Sequence, residues 1–349
     1  MLNLWFLKFK ILIFLLLKYR KKKNKITISK ISNSKEILRI INYKIEYFGK
    51  KNRRKIQLKK YENYFNFYEN LKLRTDFEII STVGNIKIKG TRILPILENK
   101  NNDKAMIFCH GVTRDRWSLF YIIHLTLQRG YQVITYDARN HGFSDVCETT
   151  LGQVESCDLQ DIIIHIKKNF LIKKIGLYGF SMGASTCLFW LSYFSGPANH
   201  EVSFAICESP FDIFFTQKIY SLGKGYDINL RSFFLNKFIN EQLNSSEEKF
   251  DKINPLFVLP HSLPIKLLIL HGISDSVISS KSSLRIYEKI TKNPFNKKKI
   301  NIYFCKYSDH GDLPFISDFI PNSLKWKTHK KNSKYNFTSL FFNYLERNL

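Results

Sequence analysis

"LYGFSMGAS", Leu177–Ser185, joins the apolar run "KKIGL" to a second apolar run, "TCLFWLSYF". How Ser181 is read decides the fold. On its own, a serine between Gly179 and Gly183 is a small-residue turn. Between a strand and a helix, G-x-S-x-G is a sharp turn that lifts a serine hydroxyl above the end of a sheet. The apolar run before it has strand length, and the run after it has helical length, stopped by Gly196-Pro197. The second reading is therefore preferred.

Working outward, the same alternation recurs. Strands are expected at "KAMIFC", "YQVITYD", "KKIGLYG", "VSFAIC", "IKLLILHG" and "KINIYFC". Helices are expected at "DRWSLFYIIHLTLQRG", "QVESCDLQDIIIHIKKNF", "MGASTCLFWLSYF", "SSLRIYEKI" and "SLFFNYLERNL". "FEIISTV" and "NIKIKGTRILPIL", with Gly84-Asn85 between them, read as an opening hairpin. Apolar strands alternating with helices imply an α/β fold, a mostly parallel sheet covered on both faces. Residues 211–260 break the alternation with an aromatic-rich stretch of helical spacing. It reads as a cap inserted between two core strands, over the edge where such sheets bind ligands. The domain is expected over residues 71–349.

A serine hydroxyl needs a base. Downstream, "LLILHGISDSVI" puts Asp275 just past one strand, and "IYFCKYSDHGDLP" puts His310 just past the next. In this order Ser181 is the candidate nucleophile, His310 its base, and Asp275 the group that orients the imidazole. Asp212, Asp309 and Asp312 are the competing acids. His271, in "LHG", is expected to be structural. His124, His165, His200 and His329 fall in helices or tails without evident partners. The oxyanion donors are expected to be the backbone N–H groups of Met182, just after the serine, and Val112 in "FCHGVTRDRW". His110 and Gly111 support the turn there. Thr113, Arg114 and Trp117 are candidates to shape the pocket, and Arg114 and Arg116 fit a solvated helix start equally well.

The remaining sequence bounds the partners. The chain has 349 residues, a formal charge of +26, 44% hydrophobic residues and thirty Phe, enough apolar mass for a substantial core. The charge is concentrated. Between Lys18 and Lys60 seventeen basic residues face two acidic ones, and a second Lys-rich stretch runs from Lys292 to Lys334. Residues 18–70 read as a basic connector. No zinc-finger or RNA-recognition signature accompanies it, so nucleic acid is not the expected partner. Residues 1–17 are nearly all apolar, broken by Lys8 and Lys10. With the basic cluster on their C-terminal side, they are expected to anchor the chain to a membrane with the domain on the cytosolic side. A soluble cytoplasmic chain is the alternative. Six cysteines without a C-x-x-C pair favour a reducing compartment. Nothing in the sequence sets an oligomeric state.

"HGVTRDRW", "YDARNHGFSD", "GFSMGAS", "HGISDSVI" and "DHGD", in that order, resemble the α/β-hydrolase superfamily, most of all its esterase, lipase and thioesterase branch. The resemblance implies hydrolysis of a small acyl ester or thioester through an acyl-enzyme, with no cofactor and no metal. A serine nucleophile argues against the dehalogenase and epoxide-hydrolase branches. The other expectations are a peptidase of the same fold and a catalytically idle, membrane-tethered binding protein.

Overall fold

The computed structural model describes residues 72–96, 101–112, 114–147, 149–213, 254–306, 308–311, 313, 319–321 and 337–349. The expected anchor (1–17), the connector (18–70) and residues 214–253 of the expected cap lie outside them. Among the described residues no helix is long and apolar enough to cross a membrane.

The strands are β1 (Arg74–Ile80), β2 (Lys87–Ile93), β3 (Lys104–Cys109), β4 (Gln132–Tyr136), β5 (Lys174–Phe180), β6 (Val202–Glu208), β7 (Lys266–Gly272), β8 (Ile300–Cys305) and β9 (Phe319–Pro321). They form one nine-stranded sheet in the order β1-β2-β4-β3-β5-β6-β7-β8-β9. From β4 to β8 every pairing is parallel. The expected hairpin β1–β2 and the unforeseen short β9 add antiparallel edges. The helices are α1 (Phe120–Gln128), α2 (Glu155–Asn169), α3 (Met182–Tyr193), α4 (Pro255–Val258), α5 (Ser280–Thr291) and α6 (Phe337–Asn348).

Strand side chains alternate in direction, so one sheet feeds two cores. Ala105, Ile107 and Cys109 of β3 join α2, α3 and α5 through Leu159, Ile162, Leu188 and Ile286. Met106 and Phe108 point the other way, toward Ile123 and Leu127 of α1 and Phe341 and Leu345 of α6. Strands covered on both faces must be apolar along their whole length, and this produced the unbroken apolar runs.

The first helix is shorter than its sequence pattern implied. Asp115 accepts from the Trp117 amide at 3.0 Å through Oδ1 and from the Ser118 amide at 3.0 Å through its carbonyl, which turns residues 115–119 before α1 starts. Arg116 is not solvated, as one expectation had it. It is buried, and its guanidinium meets the Asp137 carboxylate at 2.8 Å through Nη2 and at 3.1 Å through Nε. Trp117 is buried in the core beside α1.

At the cap, the two ends of the undescribed stretch meet: the Leu256 amide donates to the Asp212 carbonyl at 3.1 Å. Val258 of α4 packs with Phe211, Phe189 and Ile278. Residues 211–212 and 256–258 therefore meet at one place, beside the loop that carries Asp275.

Removing one member of a buried pair leaves the other charge uncompensated. Arg116→Leu is expected to destabilise the protein by about 3 kcal/mol, read as a lowered guanidinium midpoint with an unchanged slope.

Candidate active site

The connection leaving β3 runs to β4 on one side, and the connection leaving its neighbour β5 runs to β6 on the other. Such a switch point opens a crevice at the carboxyl ends of the strands. Ser181 stands at that edge, between β5 and α3.

Its backbone is strained, with φ 54° and ψ −114°, a conformation that costs of order 1–3 kcal/mol for a non-glycine residue. Close packing holds it there. A β-carbon at Gly183 would overlap the Cys109 carbonyl, and one at Gly179 would overlap the Gly183 carbonyl. The first turn of α3 thus lies directly on the ends of β3 and β5. The Ser181 amide donates to the Glu208 carbonyl of β6 at 2.9 Å, which ties the turn to a third strand.

Three side chains named from the sequence come together. His310 Nε2 is 3.0 Å from Ser181 Oγ, and His310 Nδ1 is 2.8 Å from Asp275 Oδ2. Asp275 is fully buried, and its Oδ1 accepts from the amides of Val277 at 2.9 Å and Ile278 at 2.8 Å. Burial alone would raise its pKa. The bonds and charge from His271 and His310 outweigh burial and hold the carboxyl well below the usual range. Since Asp275 is an acceptor, Nδ1 of His310 carries a proton, and in the neutral ring Nε2 is free to accept from the serine. The Phe180 ring packs on the imidazole with centroids 4.8 Å apart.

The competing acids are engaged elsewhere. Asp212 is bound to Arg285. Asp309 Oδ1 accepts from the amides of Ser276 at 2.6 Å and His310 at 2.7 Å, stitching the two loops together without touching the imidazole. Asp312, Thr113 and His329 lie outside the described residues. His124 and His165 stack on Phe120 and Phe77. His200 approaches Glu201 at 3.8 Å.

The loop after β3 lies against the serine: a β-carbon at Gly111 would sit 3.3 Å from Ser181 Cβ. Sequence reasoning gave His110 only a supporting place in the turn and missed what its ring does. Nε2 of His110 accepts from the Ala138 amide at 2.9 Å, so Nδ1 carries the proton, and it donates to the Gly111 carbonyl at 2.8 Å. The Arg114 amide donates to the same carbonyl at 3.2 Å. In a trans peptide the following N–H points the opposite way, so fixing the Gly111 carbonyl also fixes the Val112 amide. Burial lowers the His110 pKa, which keeps this ring neutral. The neighbouring His141 is lowered to about 4, by burial first and then by His110 beside it. A recurring dipeptide could have drawn attention to these rings: His110, His141, His271 and His310 are each followed by glycine.

A family model described as the alpha/beta hydrolase fold matches residues 104–222. The Bacillus subtilis (strain 168) protein YqkD, itself uncharacterized, is 30% identical over 232 residues, 64% of this chain and 70% of that one. The chain belongs to the α/β-hydrolase family. 3-Oxoadipate enol-lactonase 1 of Acinetobacter baylyi is also 30% identical, over 117 residues that make up 34% of this chain and 42% of that protein. Among solved structures, the Pyrococcus furiosus esterase Pf2001 superimposes with a TM-score of 0.55 at 23% identity, over 80% of this chain and 93% of the esterase. At that identity the esterase shows a shared fold, and the lactonase alignment spans 42% of that protein.

Asp275 links the site to stability. A carboxyl depressed in the folded state stabilises the protein above its unfolded pKa and loses that contribution as pH falls through the folded value. Asp275→Asn is therefore expected to melt lower than wild type at pH 7, with the gap closing as pH drops below about 4. Thermal melts across pH measure this.

Proposed function

We propose that the chain is a serine hydrolase that cleaves a small acyl ester or thioester through an acyl-enzyme. The observation that carries the reading is the continuous chain Ser181–His310–Asp275, at 3.0 and 2.8 Å, beneath the crevice of an α/β-hydrolase sheet. Ser181 Oγ attacks the acyl carbon as His310 Nε2 takes its proton. Asp275 stabilises the resulting imidazolium and keeps the ring oriented. Negative charge then forms on the substrate oxygen. The backbone N–H groups of Val112 and Met182 are the donors assigned to it, Met182 at the start of α3 and Val112 on the peptide that His110 holds. His310 returns the proton to the leaving group, and water repeats the sequence to release the acid.

The strained serine supports this reading, since such conformations gather at functional sites. An intact set of three groups favours turnover over an idle binding protein. The apolar residues 1–17 are assigned to membrane attachment, which would bring the domain to lipid-derived esters.

Ser181→Ala is expected to abolish covalent labelling by a fluorophosphonate and to lower p-nitrophenyl ester hydrolysis by about 10³-fold or more. A wild-type protein that does not label sinks the reading. Faster cleavage of aminoacyl amides than of esters replaces it with a peptidase.

A further inference from the structure

Asp275 is approached by two imidazoles. His310 reaches on to Ser181. The other, His271, lies fully buried in β7. Its Nε2 is 3.3 Å from Asp275 Oδ2 and 3.1 Å from the Ile278 carbonyl, and its Nδ1 is 2.6 Å from Ser283 Oγ of α5. Both neighbours of Nε2 are acceptors, so Nε2 carries the proton. Nδ1 of the neutral ring must then accept, and the Ser283 hydroxyl is its donor. The partners thus assign both the tautomer and its orientation.

We propose that His271 is a positioning residue for the hydrolytic reaction, its one Nε2–H shared between the Ile278 carbonyl and the Asp275 oxygen that His310 uses, with Ser283 holding the ring in place. The inference rests on the serine-hydrolase reading. The hydrogen-bonded line is thereby extended from Ser181 through His310, Asp275 and His271 to the hydroxyl of α5.

The chemistry follows from sharing one oxygen. A neutral donor on Oδ2 spreads the carboxylate charge and reduces its pull on the His310 proton. Without it, Asp275 is more basic, His310 holds its proton more tightly, and the neutral base exists only at higher pH. The same donor, together with the Val277 and Ile278 amides, keeps the carboxylate from rotating. The other charged groups nearby are accounted for. The histidine loop presents His310 and Asp309, the latter on the Ser276 and His310 amides. α5 presents neutral Ser283, and one of its three cations, Arg285, is bound to Asp212. β7 contributes His271 itself.

The test compares wild type with His271→Leu, His271→Gln and Ser283→Ala, using p-nitrophenyl butyrate hydrolysis across pH and ¹⁵N NMR titration of the His310 ring. In His271→Leu the acid limb of kcat/KM and the His310 titration are expected to rise together by about half a pH unit or more. kcat is expected to fall about tenfold while KM stays within about twofold. Gln restores a donor and is expected to return both curves toward wild type. Ser283→Ala, which frees the ring, is expected to shift them less, in the same direction. If His271→Leu does not fold, the Ser283→Ala shift decides the matter. A folded His271→Leu or Ser283→Ala with unmoved curves overturns the inference. The NMR titration needs no substrate, so ester hydrolysis that survives Ser181→Ala sinks the serine reading separately.

Discussion

The first turn of α3 lies so close to the end of β3 that position 183 has no room for a β-carbon beside the Cys109 carbonyl. The rest of the site is built on that contact. It forces the chain to turn at Ser181 in a conformation that L-residues avoid, with φ 54°. It also brings the loop after β3 against the serine, so that Gly111 and Ser181 are neighbours although seventy positions separate them. A single β-carbon at Gly179 or Gly183 would push the helix away from the strands and open both relationships at once. The strain is sustained because the sheet fixes the elbow from three sides, through β3, β5 and the β6 carbonyl that binds the Ser181 amide.

Around this contact, buried charges hold the loops of the carboxyl edge. Asp137 takes the Arg116 guanidinium together with the amides of Arg116 and Phe143. Asp158 of α2 takes Arg139 and the hydroxyl of Ser81. Glu155 accepts from both hydroxyls and one amide of Thr149 and Thr150, and from the Gly152 amide. None of these groups reaches Ser181. Each replaces the water that a loop would otherwise bind, and a loop satisfied in this way has one conformation instead of many. Asp275 follows the same rule with amides and imidazoles, which is why a buried carboxyl there stays charged.

The parallel core was legible because doubly covered strands must be apolar end to end, and helical patterns separate them everywhere except between β6 and β7. Ser181, His310 and Asp275 were legible for a related reason. Strand ends in such a sheet share one edge, so chain order alone predicts convergence. The start of α1 was missed because the apolar period continues upstream while Asp115 and Arg116 are drawn into turns and a buried pair. β9 was missed because three residues carry too little periodicity to register.

The sequence by itself therefore determined the α/β class, the elbow, and the order of serine, acid and histidine, since these follow from local period and from the common edge of parallel strands. Only the tertiary structure showed why Asp275, and neither Asp212 nor Asp309, meets the imidazole. Asp212, Asp275 and Asp309 all follow strands, and they are separated only by what each finds in space: Arg285, two imidazoles, or loop amides. It likewise decided the parts played by His110 and His271. A histidine before a glycine looks the same at every strand end, and its role is set by which acceptor each ring nitrogen meets.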